Sequence, residues 1–277
     1  MAYQEIESTI IVSDEVLEMT ILSSVLLTQT YRNSYLIASA VAIVTGYLLG
    51  SINLSYLIAR TKGFDIREHG SGNAGASNVI ITVGKKAGAF VALFDIFKAY
   101  FAVRLMRIFF PSLFLVGAIT AVAAILGHIF PFYMGFKGGK GFASLGGSIL
   151  ALDYRMFLVL LIMTIFVVFI TNYVCIGPVS VSILFPFVYG YTYRAGGGIY
   201  ATLILLVATV AIVYRHLENF RRIREGNELK FSFLWNRKAE ADRFGIENDD
   251  GTTYPFEMET DDGFIKHKDS DRQNQGQ

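Results

Sequence analysis

Two short segments of this sequence gather the residue types that hold an anion. Gly70-Ser71-Gly72-Asn73 and Lys137-Gly138-Gly139-Lys140-Gly141 set glycines beside hydroxyl, amide and ammonium groups. Glycine lets the backbone turn so that several N–H groups aim at one point, and neighbouring cations suit a phosphate there. In the first segment Arg67 offers a bidentate clamp, and Ser71, Gly72, Asn73 and Asn78 are the candidate contacts. Three glycines, two asparagines and two serines within nine positions predict αL turns in place of regular helix. In the second, Lys137, Gly138, Gly139, Lys140 and Gly141 open an apolar run, so backbone amides and a positive helix end converge. The spacing is not that of a Walker A loop, which argues against a nucleotide-driven machine.

Other polar residues sit in or beside apolar stretches. Asp95 and Lys98 are three apart and share a helical face, where pairing offsets the cost of a lone intramembrane charge, about 2.5–3.5 kcal/mol. An ion pair, a contact to the first loop and a catalytic role all fit them. Gly50-Ser51-Ile52-Asn53 forms a polar notch that suits helix packing or a substrate contact. His216, Glu218 and Asn219 follow the last apolar run, with His216 and Asn219 spaced to share one face. Cys175 is alone, so no intrachain disulfide forms, and its apolar surroundings predict a buried packing residue.

The elements that must position these groups are membrane spans. Of the 277 residues 53% are hydrophobic and 17% charged, a charge content below the ~25% of soluble domains. A net charge of +1 gives no electrostatic argument for a nucleic-acid partner. Seven apolar stretches appear, approximately Tyr35–Ala59, Lys86–Ile108, Ser112–Phe130, Gly139–Leu152, Arg155–Tyr173, Gly177–Tyr193 and Gly198–Tyr214. Against the ~20 residues a spanning helix needs, the fourth is short and predicts a packed or half-spanning helix. The expected fold is an all-α polytopic membrane protein of about seven transmembrane helices with short re-entrant or interfacial segments. Parity places both glycine motifs and the segment after Tyr214 on one side, which their Lys and Arg residues mark as cytoplasmic. Arg104, Arg107, Arg155 and Arg194 run against that assignment without outweighing it.

Residues 1–34 form an acidic segment without a basic signal-peptide region. Val16–Leu27 is expected to lie along the interface as a helix or be disordered. The membrane domain covers 35–226, and 227–277 reads as an acidic, largely disordered cytoplasmic tail whose Trp235 region first touches the interface. Its pairs Asp249-Asp250 and Asp261-Asp262 read as solvated acid and not as metal sites.

The order and spacing of these segments, from Leu36 to Phe231, resemble the PlsY family of bacterial membrane glycerol-3-phosphate acyltransferases. The resemblance rests on Gly50-Ser51-Ile52, the Arg67 to Asn78 loop, Asp95 with Lys98, the Gly127-His128 to Gly141 loop and His216/Glu218/Asn219. It implies acyl transfer from acyl phosphate to the 1-hydroxyl of sn-glycerol 3-phosphate, giving lysophosphatidic acid, in a bacterial plasma membrane. The family usually has Pro at the positions of Asn53 and Ala74, Thr at Ser77 and Ser144, and Val at Phe142; Asn53 and Phe142 bear on acceptor and acyl-chain preference. Arg67, Ser71, Asn73, Lys137, Lys140 and Asn219 are expected to hold the anions, Ser51 or glycine amides the oxyanion, and His216 or a substrate phosphate the proton.

No cofactor, metal or obligate protein partner is expected, because amides and cations bind phosphate unaided. The His-x₄-Asp pattern of other glycerolipid acyltransferases is absent at all four histidines. The rival from another class is a transporter or channel for a small organic phosphate, which needs polar groups reachable from both faces. A membrane scaffold with an acidic interaction tail explains the tail but not the clustered motifs.

Overall fold

The computed structural model describes residues 14–228 and 230–234. It divides into two compact units, Met1–Val41 and Ala42–Gln277. Helix α1 (Asp14–Ser51) runs through both. In the first unit its apolar side chains, from Met19 and Leu22 to Leu36 and Ile37, are exposed. Val16–Leu27 is therefore helical, in keeping with the helical alternative and not the disordered one: it contains neither Gly nor Pro and continues the apolar run. The acidic residues Glu5 and Glu7, Trp235 and the paired aspartates of the tail lie outside the described residues.

In the second unit the chain continues as α2 (Leu54–Thr61), α3 (Ala76–Thr82), α4 (Lys85–Phe109), α5 (Phe114–Ile129), α6 (Phe142–Leu152), α7 (Tyr154–Thr171), α8 (Ile176–Thr192) and α9 (Gly198–Arg224). No strand forms among the described residues; one isolated antiparallel bridge joins Tyr173 and Lys230. Four segments, Glu18–Thr61, Phe114–Met134, Tyr154–Thr171 and Gly198–Arg224, are long and apolar enough to cross a membrane.

The seven expected stretches correspond to α1–α2 and α4 to α9, with three differences. The first is broken at Ile52–Asn53, because the Asn53 side chain accepts from the Tyr56 amide and starts a new helix. The fourth is only 11 residues, about 16 Å against ~30 Å of hydrocarbon. It starts partway along α4: Gly147 lies so close to the Ile96 carbonyl that a Cβ there would collide with it. The last continues past Tyr214 to Arg224.

Val103, Ile125, Ile149, Leu160, Phe185, Leu205 and Ile212 fill the middle of the bundle and separate two polar ends. At one end Arg107 Nη1 donates to the Ala151 and Leu152 carbonyls, and the Tyr193 hydroxyl donates to Asp153. At the other, the end of α1, both glycine loops, the α7–α8 turn and the end of α9 meet. The motifs thus share one end, as parity requires.

Candidate active site

The first loop is locked by its own side chains. Gly70 and Gly72 adopt φ of +57° and +70°, the left-handed turns expected there, but regular helix resumes at Ala76, earlier than expected. Asn78 is fully buried: its Oδ1 accepts from Ser71 N at 2.8 Å, and its Nδ2 donates to the Ile66 and His69 carbonyls. Its side chain therefore shapes the loop. Asn73 differs, because its Oδ1 is buried without a partner. Ser71 is half-buried and Gly72 exposed.

Arg67 does not point a free fork at an anion. Its Nε and Nη2 bind the Asp65 carboxylate at 2.9 and 2.6 Å, and its Nη1 donates to the Met134 carbonyl at 2.6 Å. The guanidinium also lies 5.5 Å from the Tyr56 ring centroid. The expected phosphate clamp is thus a latch between the two loops. These hydrogen bonds hold the Asp65 carboxyl down at about 2, well below its ordinary value, and raise Arg67 in turn.

A second latch involves α1, α2 and the Phe132–Met134 turn. The Tyr133 hydroxyl donates to Ser51 O and accepts from Asn53 N, while Asn53 Nδ2 donates to the Ala74 carbonyl. The two departures named above, Asn53 and Ala74, are therefore in direct contact. Asn53 is 1% exposed, so it supports the loop from behind. Ser51 is equally buried, and its hydroxyl donates to Tyr47 O at 2.6 Å within its own helix. Gly127 is pressed so close to the Tyr47 carbonyl that no Cβ fits.

Lys98 is fully engaged. Its ammonium lies 2.7 Å from Asp95, 2.6 Å from the Ile52 carbonyl and 3.1 Å from His128 Nδ1. Two of these contacts are hydrogen bonds, to Ile52 O and His128 Nδ1, and the third is an ion pair with Asp95, so the charge of Lys98 is committed within the bundle. Asp95, Lys98 and His128 instead tie α4 and α5 to the break after α1.

The second loop wraps His128. Gly138 and Gly139 are buried against its carbonyl and ring, where any Cβ would overlap, and Gly141 takes φ of +88° ahead of α6. Arg215 reaches across from α9 to the Gly138 carbonyl at 2.9 Å. Lys140 donates to Asn219 Oδ1 at 2.7 Å, and Asn219 Nδ2 donates to Glu228 at 2.6 Å. Burial holds the Lys140 ammonium below its usual value, an effect opposed by the nearby Glu228 carboxylate. Burial also pushes the Cys175 thiol up to about 12, so this buried cysteine stays protonated. His216 is 2% exposed, and its Nδ1 lies 2.8 Å from the Ile212 carbonyl. With that carbonyl taking the Nδ1 proton, Nε2 is the basic nitrogen.

Lys137 is exposed on the loop. Glu218 does not join the cluster: it is exposed and pairs with Arg221 and Arg222 at 2.8 and 3.4 Å. Tyr133, Arg215 and Glu228 are members outside the expected set, and His128, part of the second motif, had no role of its own there. Gly127-His128 and Arg215-His216 carried a signal by adjacency; Glu228 lies in the acidic segment read as tail.

Residues 40–226 match the family model described as glycerol-3-phosphate acyltransferase. Glycerol-3-phosphate acyltransferase 1 of Oceanobacillus iheyensis is 36% identical over 212 residues, covering 74% of this chain and 99% of that protein. The chain belongs to the glycerol-3-phosphate acyltransferase family. Another member, from Thermotoga petrophila, is 38% identical over 192 residues, covering 69% of this chain and 95% of its own. Among solved structures, PlsY (YgiH), an integral membrane glycerol 3-phosphate acyltransferase, is similar in its glycerol 3-phosphate form at TM-score 0.63 and 31% identity. That match covers 71% of this chain and 96% of the other, and the lysophosphatidic acid form gives a TM-score of 0.61. The resemblance carried by the motifs is borne out, and with it the all-helical, multi-pass membrane fold of the glycerol-3-phosphate acyltransferases.

Proposed function

We propose that this protein transfers an acyl group from acyl phosphate to the 1-hydroxyl of sn-glycerol 3-phosphate, releasing lysophosphatidic acid and inorganic phosphate. The reading is carried by the convergence of Lys140, the Lys140 and Gly141 amides ahead of α6 and the His216/Asn219 pair at one polar end, the Gly138 and Gly139 amides being spent on the Ile129 and His128 carbonyls. Relatives over most of the chain bear the name of that activity.

Lys140 and the amides ahead of α6 hold phosphate, and α6 is long enough to contribute its positive end. The unpartnered Asn73 Oδ1 suits a hydroxyl donor on the acceptor. Attack forms a bond from the acceptor oxygen to the acyl carbon and breaks the bond from that carbon to the phosphate oxygen. The hydroxyl proton passes to His216 Nε2 or to a phosphate oxygen, with no covalent enzyme intermediate. The Lys140 or Gly141 amide stabilises the charge that grows on the carbonyl oxygen, a donor worth ~10²–10³ in rate. Ser51 joins them only on exchanging Tyr47 O for the substrate.

The reacting end carries Arg60, Lys62, Lys85, Lys86, Lys137, Arg221, Arg222 and Arg224, so it faces the cytoplasm of a bacterial plasma membrane. Residues 35–226 are the catalytic membrane domain, flanked by the acidic segments 1–34 and 227–277. The apolar filling of the bundle gives no support to a path for an organic phosphate between the two ends.

The test is to incubate purified protein with acyl phosphate and radiolabelled glycerol 3-phosphate, with acyl-CoA as the comparison donor. Labelled lysophosphatidic acid from acyl phosphate supports the assignment. Its absence, or its formation from acyl-CoA alone, overturns the donor or the activity itself.

A further inference from the structure

The polar end remote from the proposed active site carries charge that acyl transfer does not use. Arg104, Arg107 and Arg155 line a cavity of about 720 Å³ between the end of α4 and the α6–α7 turn, together with Phe97, Tyr100 and Asp153. Asp153, the carboxylate in this lining, is committed elsewhere. Its Oδ1 accepts from the Arg155 and Met156 amides, and its Oδ2 from the Tyr193 hydroxyl. Those bonds hold the Asp153 carboxyl below its ordinary value despite partial burial.

Arg107 is half-tethered, with Nη1 on the Ala151 and Leu152 carbonyls at 2.7 and 2.9 Å. Arg104 is exposed and makes no hydrogen bond or ion pair to a described residue. Cations at a helix carboxyl end are favourable in themselves, which accounts for Arg107 but not for Arg104 and Arg155 beside the same hollow. Positive charge on this side also opposes the distribution that orients the chain.

We propose that this cavity binds the phosphate diester of an anionic phospholipid in the leaflet remote from the active site. The lining is amphipathic in the sense a lipid requires. Phe97 and Tyr154 expose large aromatic surface, 61% and 58%, immediately beside the guanidiniums. Guanidinium forks match phosphate oxygens, and aromatic faces at the end of a span suit the glycerol and upper acyl region. A free anion would use the cations but leave the apolar wall uncovered.

Native mass spectrometry of the full chain in detergent tests this with phosphatidylglycerol and phosphatidylcholine of the same chains, and with inorganic phosphate as competitor. The variant Arg104→Gln/Arg155→Gln spares the tether at Arg107, and its retained acyltransferase rate and gel-filtration profile report folding. The wild-type protein should keep phosphatidylglycerol in preference to phosphatidylcholine. The variant should lose that preference by at least about tenfold, as expected on removing two charged donors to one phosphate. Arg104→Lys/Arg155→Lys should restore part of it. Equal retention of the two lipids, or equal retention by wild type and the glutamine variant, overturns the proposal. Complete displacement by millimolar inorganic phosphate overturns the lipid assignment in favour of a free-anion site.

Discussion

Lys140 and Asn219 are 79 positions apart, yet the lysine ammonium donates to the asparagine carbonyl oxygen at 2.7 Å. That contact joins the second glycine loop to the end of α9, and the other half of the amide continues to Glu228 at 2.6 Å. The amide is therefore oriented by a cation on one side and an anion on the other, an arrangement no other side chain of its size reproduces.

Asn219→Asp tests that orientation. The change replaces the donor facing Glu228 with a second carboxylate oxygen, so like charges meet in a buried place. Turnover should fall by at least about a hundredfold, no less than for Asn219→Ala, given the usual cost of a lost preorganised contact. Steady-state kinetics of the three proteins, compared by kcat/KM, checks it. Near-normal turnover of the aspartate variant would remove the amide from the site.

The Asp95–Lys98–His128 cluster is predicted to be a structural anchor. Lys98→Met leaves the Asp95 carboxylate buried beside His128 without its cation, which should cost about 3–5 kcal/mol. Asp95→Asn combined with Lys98→Met removes both charges and should recover much of that loss. Thermal unfolding in one detergent, together with KM for glycerol 3-phosphate, separates the roles. A raised KM with unchanged unfolding would return Lys98 to substrate binding.

The latch from Asp65 through Arg67 to Met134 has a defined pH window. The Asp65 carboxyl is depressed to about 2 from 3.8, so the ionised form favours the folded loop. Its contribution is complete above about pH 4 and is lost as pH falls through about 2, so it is constant across the neutral range. Asp65→Asn should therefore lower activity by about tenfold at every pH from 6 to 9, the scale of one charged hydrogen bond. A pH–rate profile checks this, and a variant that loses activity on only one limb would contradict it.

Glycine is required where the second loop closes on His128. Gly138→Ala drives a methyl into the His128 carbonyl, with backbone on both sides, and should cost at least about 1–3 kcal/mol as well as activity. Gly146→Ala is the matched control: its Cβ meets only the Phe157 ring, at 3.8 Å, inside a helix that alanine favours. Unfolding temperatures of the two variants should move in opposite directions or differ by several degrees.

The sequence made some of this legible and hid the rest for physical reasons. Charge follows membrane side, so counting apolar stretches was enough to bring Gly70–Asn78 and Lys137–Gly141 to one end. A three-residue spacing likewise put His216 and Asn219 on one face, while Glu218, one position away, was carried round to solvent and to Arg221. Residue type does not reveal which acceptor lies within reach, so Arg67 looked like a phosphate clamp when Asp65 and Met134 already hold it. The notch at Ser51–Asn53 held a capping asparagine that breaks the helix, and the notch pattern alone did not distinguish that from a packing groove. Glu228 gave no signal, because it follows a Gly226-Asn227 turn beyond the last apolar run, where no helical spacing ties it to Asn219.

The central claim is that the three polar segments form one anion-binding cup, and equilibrium binding of radiolabelled glycerol 3-phosphate without any acyl donor measures it most directly. Lys140→Ala, in protein whose gel-filtration profile matches wild type, should bind at least about tenfold more weakly, and Lys140→Arg should bind more tightly than the alanine variant. Unchanged affinity in Lys140→Ala would contradict the account.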